Sequence, residues 1–215
     1  MKKIIISLFA VVAVAAIIIG GTIAYFSDTE SSTNNEMAVG TMDLNINGGN
    51  VAVQTLNLVD KAPGDAGKEM SMLKNVGSLE GELDIAMSAI TNYPCTDGAN
   101  GGKNDGTEYC VSDPGALGAN METALYLDKD KSGNWTVGDV GLKADGTIYT
   151  SGDLIYSVMD NYSGKTWDAV VATMVTNDEY NFLIDWKIPT AVGNEIQGDA
   201  LKFDVTFILE QANGE

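Results

Sequence analysis

Apolar and polar residues alternate along several stretches of the chain, a pattern typical of β-strands that bury one face. The clearest alternation in the first half covers residues 79–87, and two equally clear ones lie at residues 180–186 and 201–209. Shorter stretches predict further strands at residues 42–46, 51–58, 70–72, 121–127, 147–149 and 154–158. Glycine, asparagine and proline separate these stretches, so the chain is predicted to form many short strands joined by turns.

Three of the shorter stretches carry more specific expectations. Residues 42–46 and 51–58 flank a turn rich in glycine and asparagine, so the second stretch is predicted to pair with the first. Met70 and Met72 alternate with Ser71, which places both methionines on the core face of their strand. Met87 and Met121 are assigned to the core in the same way.

Residues 165–175 show a different period. Their large apolar residues are spaced by three and four positions, which predicts a short amphipathic helix. These residues are Trp167, Val170, Val171 and Met174. Many short strands with one short helix predict an all-β fold, an antiparallel β-sandwich.

The N-terminus has the plan of a secretory signal peptide. A short basic start is followed by an apolar run at residues 4–19 and then by small residues, and cleavage is expected after Ala24 or one residue later, after Tyr25. An uncleaved membrane anchor is the alternative, because residues 4–24 approach the ~20 residues that cross a bilayer. The predicted domains are therefore a signal peptide at residues 1–24, a segment at 25–39 and a sandwich at 40–215.

The composition narrows the possible functions. The chain has 215 residues and a net charge of -18, with 12 basic residues and no histidine. A nucleic-acid partner is not expected, since phosphate backbones are bound by clustered basic residues, and contact with a membrane is expected only through the signal segment before cleavage. Without histidine, imidazole general bases and histidine-based zinc sites are excluded, so no enzyme activity is expected.

Residues 128–139 spell DKDKSGNWTVGD and match the spacing of a calcium-binding loop. Oxygen-bearing residues occupy the ligand positions, and Gly133 stands where such a loop turns sharply. The predicted ligands are Asp128, Asp130, Ser132, Asn134 through its carbonyl, Thr136 and Asp139. Aspartate at the last position, where glutamate is usual, shortens the reach of the carboxylate. An acidic turn without a metal is the alternative to structural calcium.

The only two cysteines are Cys95 and Cys110. In a secreted chain they are predicted to form one disulfide, which would stabilise the fold by ~3 kcal/mol. Free thiols are the alternative. The glycine- and asparagine-rich residues between the two cysteines would otherwise form a long unrestrained loop.

Two triplets match the acceptor pattern for N-glycosylation. One begins at Asn134 and the other at Asn161. A glycan on Asn134 would crowd the predicted calcium loop, so Asn161 is the better candidate. Chance occurrence of such triplets is the alternative for both.

Several stretches resemble the TasA/camelysin family of secreted biofilm-matrix fibre proteins, which includes archaeal bundling-pilus subunits. The resemblance covers both ends of the chain and little of residues 95–175. The matching residues are Gly20-Gly21-Thr22 with Ala24 and Phe26, Gly40-Thr41-Met42-Asp43-Leu44, Ala62-Pro63-Gly64-Asp65, Asn75-Val76-Gly77-Ser78-Leu79, Asn194-Glu195-Ile196-Gln197-Gly198-Asp199 and Phe207-Ile208-Leu209-Glu210-Gln211.

The resemblance implies a jelly-roll-like sandwich that is completed by a donor strand, residues 25–39, from a neighbouring copy. Its apolar contact points would be Tyr25, Phe26, Met37 and Val39. The expected function is a filament subunit, located outside the cell, on its surface or in a biofilm matrix. The expected partners are copies of itself and other matrix components. The alternatives are a disordered N-terminal tail, and a monomeric calcium-binding or adhesive surface module held by an uncleaved helix.

Overall fold

The computed structural model describes residues 41–49, 53–95, 115–193 and 196–211. All of them belong to one compact unit of the chain, Gly40–Glu215. The predicted signal peptide, the predicted donor segment at residues 25–39 and Cys110 lie outside the described residues. Within the described ranges, no helix is long and apolar enough to cross a membrane.

Two antiparallel sheets form the fold. The strands are β1 Leu44–Ile46, β2 Val53–Val59, β3 Ala66–Asn75, β4 Gly81–Met87, β5 Thr91–Tyr93, β6 Glu122–Asp128, β7 Val140–Leu142, β8 Ile148–Tyr149, β9 Ser157–Val158, β10 Thr166–Met174, β11 Glu179–Lys187 and β12 Ala200–Glu210. A helix α1 at Leu117–Asn120 and a 3-10 helix η1 at Met159–Tyr162 complete the described elements.

The first sheet has the order β1-β3-β11-β6-β7-β8, with β9 beside β6. The second has the order β10-β4-β12-β2, with β5 beside β12. Successive strands alternate between the two sheets from β1 to β4 and again from β10 to β12, as in jelly rolls. The predicted all-β antiparallel sandwich is confirmed.

The core lies between the inner faces of the two sheets. Phe182 of β11 packs edge-on against Phe207 of β12 with ring centroids 5.2 Å apart. The strands predicted from the clearest alternations are present as β4, β11 and β12, and most of their alternating apolar residues are buried. Alternation succeeds here because each of these strands has one face in the core.

The helix predicted at residues 165–175 is wrong, since these residues form the strand β10. The pairing of β10 with β4 shifts register between Trp167 and Val171 and again between Val171 and Met174. Each shift inserts extra residues between inward-facing positions, as a β-bulge does. The resulting spacing imitates a helical period, so the pattern identifies the buried residues correctly but not their secondary structure.

The predicted core positions of Met70 and Met72 are also wrong, because Met70 is 57% exposed and Met72, on the same face of β3, is only half-buried. The neighbouring Ser71 and Leu73 are buried instead. A strand has a side-chain period of two, so choosing the wrong phase moves every side chain to the other face. The buried serine hides the true phase of β3 from the sequence.

The partner predicted for residues 51–58 is wrong as well. These residues contribute to β2, which pairs with β12 rather than with β1. The strand β1 pairs with the C-terminal end of β3. After a tight turn at Asn47 and Gly48, both of which have positive φ, the chain leaves the first sheet for the second.

Candidate functional site: an open groove and an acidic loop

The strand β3 is paired along its length on one side only. It pairs with β11 along its whole length, but with β1 only at Leu73–Asn75. Residues 66–70, called here the open edge, therefore have no strand beside them on the β1 side among the described residues. The strand β2 pairs with β12, and β-strand partners on its other side are likewise absent from the described part of the chain.

Asn47 marks the point where the pairing of β3 with β1 stops. Its backbone N–H donates to the carbonyl oxygen of Met72 at 2.9 Å, and its side-chain oxygen accepts from the Met72 N–H at 2.8 Å. Its side-chain nitrogen donates to Gln54 Oε1 at 2.9 Å. Asn47 thus joins β3 to β2 and closes one end of the space between them.

A groove of about 240 Å³ lies between β2 and β3. Residues 54–58 form one wall and residues 69–71 form the other. The groove therefore separates β3 at the edge of the first sheet from β2 at the edge of the second.

The backbone groups along the open edge follow from the alternation of an antiparallel ladder. Asn75 N–H donates to Asp178 on the β11 side, whereas the backbone of Met72 bonds to Asn47 on the opposite side. Residues of even number in β3 therefore direct their N–H and C=O groups away from β11. Lys68 and Met70 present these groups at the open edge.

The edge strand β10 differs from this regular edge. It carries two register shifts, and Ala169 has a φ of +50°. The N–H of Ala169 donates to Asp84 Oδ1 at 2.7 Å. Bulges and strongly twisted backbone protect a sheet edge from pairing with another strand, so β10 is poorly suited to accept one.

The acidic loop, residues 128–139, runs from the last residue of β6 to the start of β7 on the first sheet. Asp128 ends β6 and Asp139 directly precedes β7, and both are buried, with exposures of 0% and 1%. Leu127 and Val140 are register partners, so the two strands bring the ends of the loop together. The predicted first and last ligands of the calcium loop are therefore adjacent.

Backbone and hydroxyl donors hold the carboxylates of the acidic loop. Gly133 N–H donates to Asp128 Oδ2 at 2.8 Å, and Thr136 N–H donates to Asp139 Oδ2 at 2.7 Å. Thr136 Oγ1 also donates to Asp130 Oδ2 at 2.9 Å. The positive φ of Gly133, +75°, allows the sharp turn that aims its N–H at Asp128.

The three aspartates form a cluster that could hold a metal ion. One oxygen from each of Asp128, Asp130 and Asp139 lies within 4.8 Å of the others. Burial raises the pKa of Asp128, while hydrogen bonds from Ser132 lower the pKa of Asp130. Three carboxylates this close repel one another, and a cation would relieve that repulsion.

The other predicted ligands lie in the same loop. Ser132 Oγ donates to the carbonyl oxygen of Asn134 at 2.9 Å, so two predicted ligand atoms are already neighbours. The Asn134 side-chain oxygen accepts from Lys68 Nζ at 3.4 Å. The predicted ligand atoms are all oxygens, and the chain has no histidine. They fit calcium or magnesium better than zinc.

Lys68 connects the acidic loop to the open edge. Its Nζ donates to the carbonyl oxygen of Gly133 at 3.0 Å and forms an ion pair with Asp185 at 3.2 Å. Trp135 anchors the same loop, because its ring lies edge-on to Tyr126 and its Nε1 donates to Gly152. The loop is thereby fixed against the outer face of the first sheet.

Cys95 is buried, with 4% exposure, and the described residues contain no free cysteine. The pairing with Cys110 stays a prediction, since Cys110 lies outside the described residues. Asp199, which the sequence does not single out, accepts from the N–H groups of Cys95 and Ala116. This buried carboxylate holds both flanks of residues 96–114, and a lone aspartate outside any motif gives no signal of such a role.

Asn161 is exposed in η1, where its side-chain nitrogen donates to Ser157 Oγ at 3.1 Å. Its glycosylation, like that of Asn134, stays a prediction. A second acidic cluster consists of Glu82, Asp84 and Glu210 on the neighbouring strands β4 and β12. Sequence reasoning misses it because its members are far apart in the chain.

A family model described as camelysin metallo-endopeptidase matches residues 1–113. A comparison with curated proteins finds no match. The matched residues include the groove and its open edge, whereas the acidic loop lies beyond them. The resemblance noted in the sequence is thus confirmed, and the chain belongs to the camelysin family.

Proposed function

We propose that the protein is the structural subunit of an extracellular filament, in which residues 25–39 of one copy complete the sandwich of the next. We call these residues the leading segment. The observation that carries the proposal is the groove between β2 and β3, which is bordered by a regular strand edge without a partner in the described residues. A strand added there would bond to Lys68 and Met70, each main-chain hydrogen bond contributing about 0.5–1.5 kcal/mol.

The position of Thr41 in the fold favours a neighbour's segment over the chain's own. Thr41 N–H donates to Ser78 Oγ at 2.9 Å, and Ser78 N–H donates to the carbonyl oxygen of Thr41 at 2.8 Å. Thr41 therefore lies beyond the C-terminal end of β3, and the open edge is at the N-terminal end. The leading segment would have to return along the whole strand to reach its own groove.

The contact between the leading segment of one copy and the groove of the next can repeat from copy to copy. The donor and the groove are different surfaces of one molecule, so each added copy presents a new unoccupied groove. A heterologous contact that does not close into a ring generates an open filament. Export through the predicted signal peptide would free the leading segment by cleavage, and assembly would then take place outside the cell or in a biofilm matrix, with other matrix components as further partners.

Removal of the leading segment tests this proposal. Protein beginning at Tyr25 is expected to form filaments in electron micrographs, while protein beginning at Gly40 is expected to stay monomeric in analytical ultracentrifugation with an unchanged circular dichroism spectrum. Long filaments from the shortened protein would overturn the proposal. N-terminal sequencing of the native protein separates it from an anchored monomer, which would begin at Met1.

A peptidase role is disfavoured despite the name of the family. The chain has no histidine, and the described residues contain no free cysteine. A metal bound by the described residues would therefore be held by oxygen atoms. Zinc peptidases rely on histidine ligands and a bound water. We expect the purified protein to leave casein intact; digestion that a chelator abolishes would refute this part of the proposal.

The acidic loop supports calcium binding as a second function. The clustered oxygens of Asp128, Asp130 and Asp139 and the turn at Gly133 suit a hard cation. Isothermal titration of chelator-treated protein should give one calcium site per chain, which Asp139→Asn removes. Glu82→Gln, in the other acidic cluster, is the control that should retain the site. No heat in the parent protein would contradict calcium binding.

A further inference from the structure

We propose that the uncharged run Ser31–Asn35 of the leading segment is the part that enters a neighbour's groove, and that Glu69 selects it by repelling the acidic residues on either side. This inference rests on the proposed filament. It identifies the residue that fixes which part of the leading segment is aligned with the groove. The apolar residues near the ends of the segment, from Tyr25 to Val39, would then lie outside the groove.

The walls of the groove are mostly polar. Five of the eight lining residues carry polar side chains, and they are Gln54, Thr55, Asn57, Glu69 and Ser71. Of the three apolar lining residues, Leu56 and Leu58 have exposures of only 9% and 5%, so little of their surface is left for a guest to cover. The third, Met70, is 57% exposed, but it has the outward-facing phase of β3. A guest strand with hydrogen-bonding side chains fits these walls better than a row of apolar anchors.

Glu69 is the one charged residue among those that line the groove. It shares the inward-facing phase of β3 with Ser71 and Leu73, both of which are buried. No ion pair involves Glu69 in the part of the chain that the structure describes. A guest must therefore face an uncompensated carboxylate, which accepts hydrogen bonds from hydroxyl and amide donors and repels another carboxylate.

The leading segment contains one run with the required chemistry. It has no basic residue, and its acids are Asp28, Glu30 and Glu36. Between Glu30 and Glu36 lie five uncharged polar residues, SSTNN, each with a hydrogen-bond donor in its side chain. The open edge also spans five residues, 66–70, so the run matches it in length as well as in charge.

The experiment introduces one aspartate at a time into the run of the full secreted chain and measures the critical concentration for filament formation. The variants are Ser31→Asp, Ser32→Asp, Thr33→Asp, Asn34→Asp and Asn35→Asp. A substitution whose side chain faces Glu69 should raise the critical concentration at least about tenfold, since like charges would meet in a partly desolvated groove. Its immediate neighbours, which face outward, should have little effect, so the penalty should alternate along the run.

When Glu69→Gln is added to the most impaired aspartate variant, its critical concentration should fall to within about threefold of that of the parent protein, because the repulsion is gone. Glu80→Gln, which neutralises an exposed acid outside the groove, is the matched control and should change nothing. Thermal unfolding of each variant confirms an intact sandwich.

The two proposals fail in different ways. Selection by Glu69 would be refuted, with filaments still forming, by either of two results. The first is that the aspartate substitutions raise the critical concentration equally in the parent chain and in the Glu69→Gln chain, and the second is that they raise it at none of the five positions. A parent protein that forms no filaments at any concentration would instead refute the proposed function.

Discussion

Lys68 Nζ lies 3.0 Å from the carbonyl oxygen of Gly133 and so joins the edge of one sheet to the acidic loop. The same ammonium pairs with Asp185, whose side chain is only 15% exposed. The residue that presents backbone groups at the open edge therefore also fixes the loop that is proposed to bind calcium.

Replacement of Lys68 should measure what this connection contributes. Lys68→Met should lower the free energy of unfolding by about 1 kcal/mol, a value already reduced for solvent screening because the lysine is 38% exposed. Lys74→Met, which removes only a 3.9 Å contact with Glu179, is the control and should cost less than about 0.5 kcal/mol. Urea unfolding of the two variants makes the comparison, and equal losses would contradict the assigned role.

Calcium should stabilise the folded protein through the acidic loop. At a free concentration about one hundred times the dissociation constant, the gain is about 2.7 kcal/mol, or roughly 5–10 °C in the melting temperature. Asp139→Asn should abolish the shift, while Glu82→Gln should keep it. A melting temperature that calcium leaves unchanged in the parent protein would argue for an acidic turn without a metal.

The strand β10 shows why local pattern and true structure can differ. The prediction for residues 79–87 is correct because a regular strand preserves the two-residue period, whereas the bulges of β10 replace that period by one that matches a helix. The predicted phase of β3 is wrong because its inward side includes the polar Ser71. The pattern of apolar and polar residues alone does not reveal a β-bulge or a buried polar residue.

The acidic loop could be predicted because all its ligands lie within one short stretch of sequence. The groove could not, since it arises from the shortness of β1 relative to β3 and from the crossing of the chain to the second sheet. The same reason explains why the sequence does not reveal Glu69 and Asp199. Their roles depend on segments brought together only by the fold.

Two alanines of β10 should respond differently to replacement by glycine. Ala169 has a φ of +50°, which is unfavourable for alanine, so Ala169→Gly should leave the unfolding free energy unchanged or raise it by up to about 1 kcal/mol. Ala172 is exposed in the same strand and is not among the residues with positive φ, so Ala172→Gly should cost about 0.5–1 kcal/mol. Similar losses at both positions, as expected for a helix, would contradict the bulged strand.

Stability should decline at alkaline pH through Tyr180. Burial, together with the hydrogen bond from its hydroxyl to Asp178, raises the pKa of Tyr180 to about 12 from its usual 10.0. The unfolded chain ionises first, so the stability that this tyrosine contributes is complete below pH 10 and is lost as the pH rises towards 12. Tyr180→Phe should show a flatter decline of the urea midpoint between these values, and an identical decline would contradict the assignment.

Hydrogen exchange at the open edge reports directly whether a strand is added there. The backbone N–H groups of Lys68 and Met70 should exchange rapidly in protein beginning at Gly40 and become strongly protected in filaments of protein beginning at Tyr25, while Leu73, which faces β11, should be protected in both. If Lys68 and Met70 exchange equally fast in the monomer and in the filament, no strand is added at this edge and the account is contradicted.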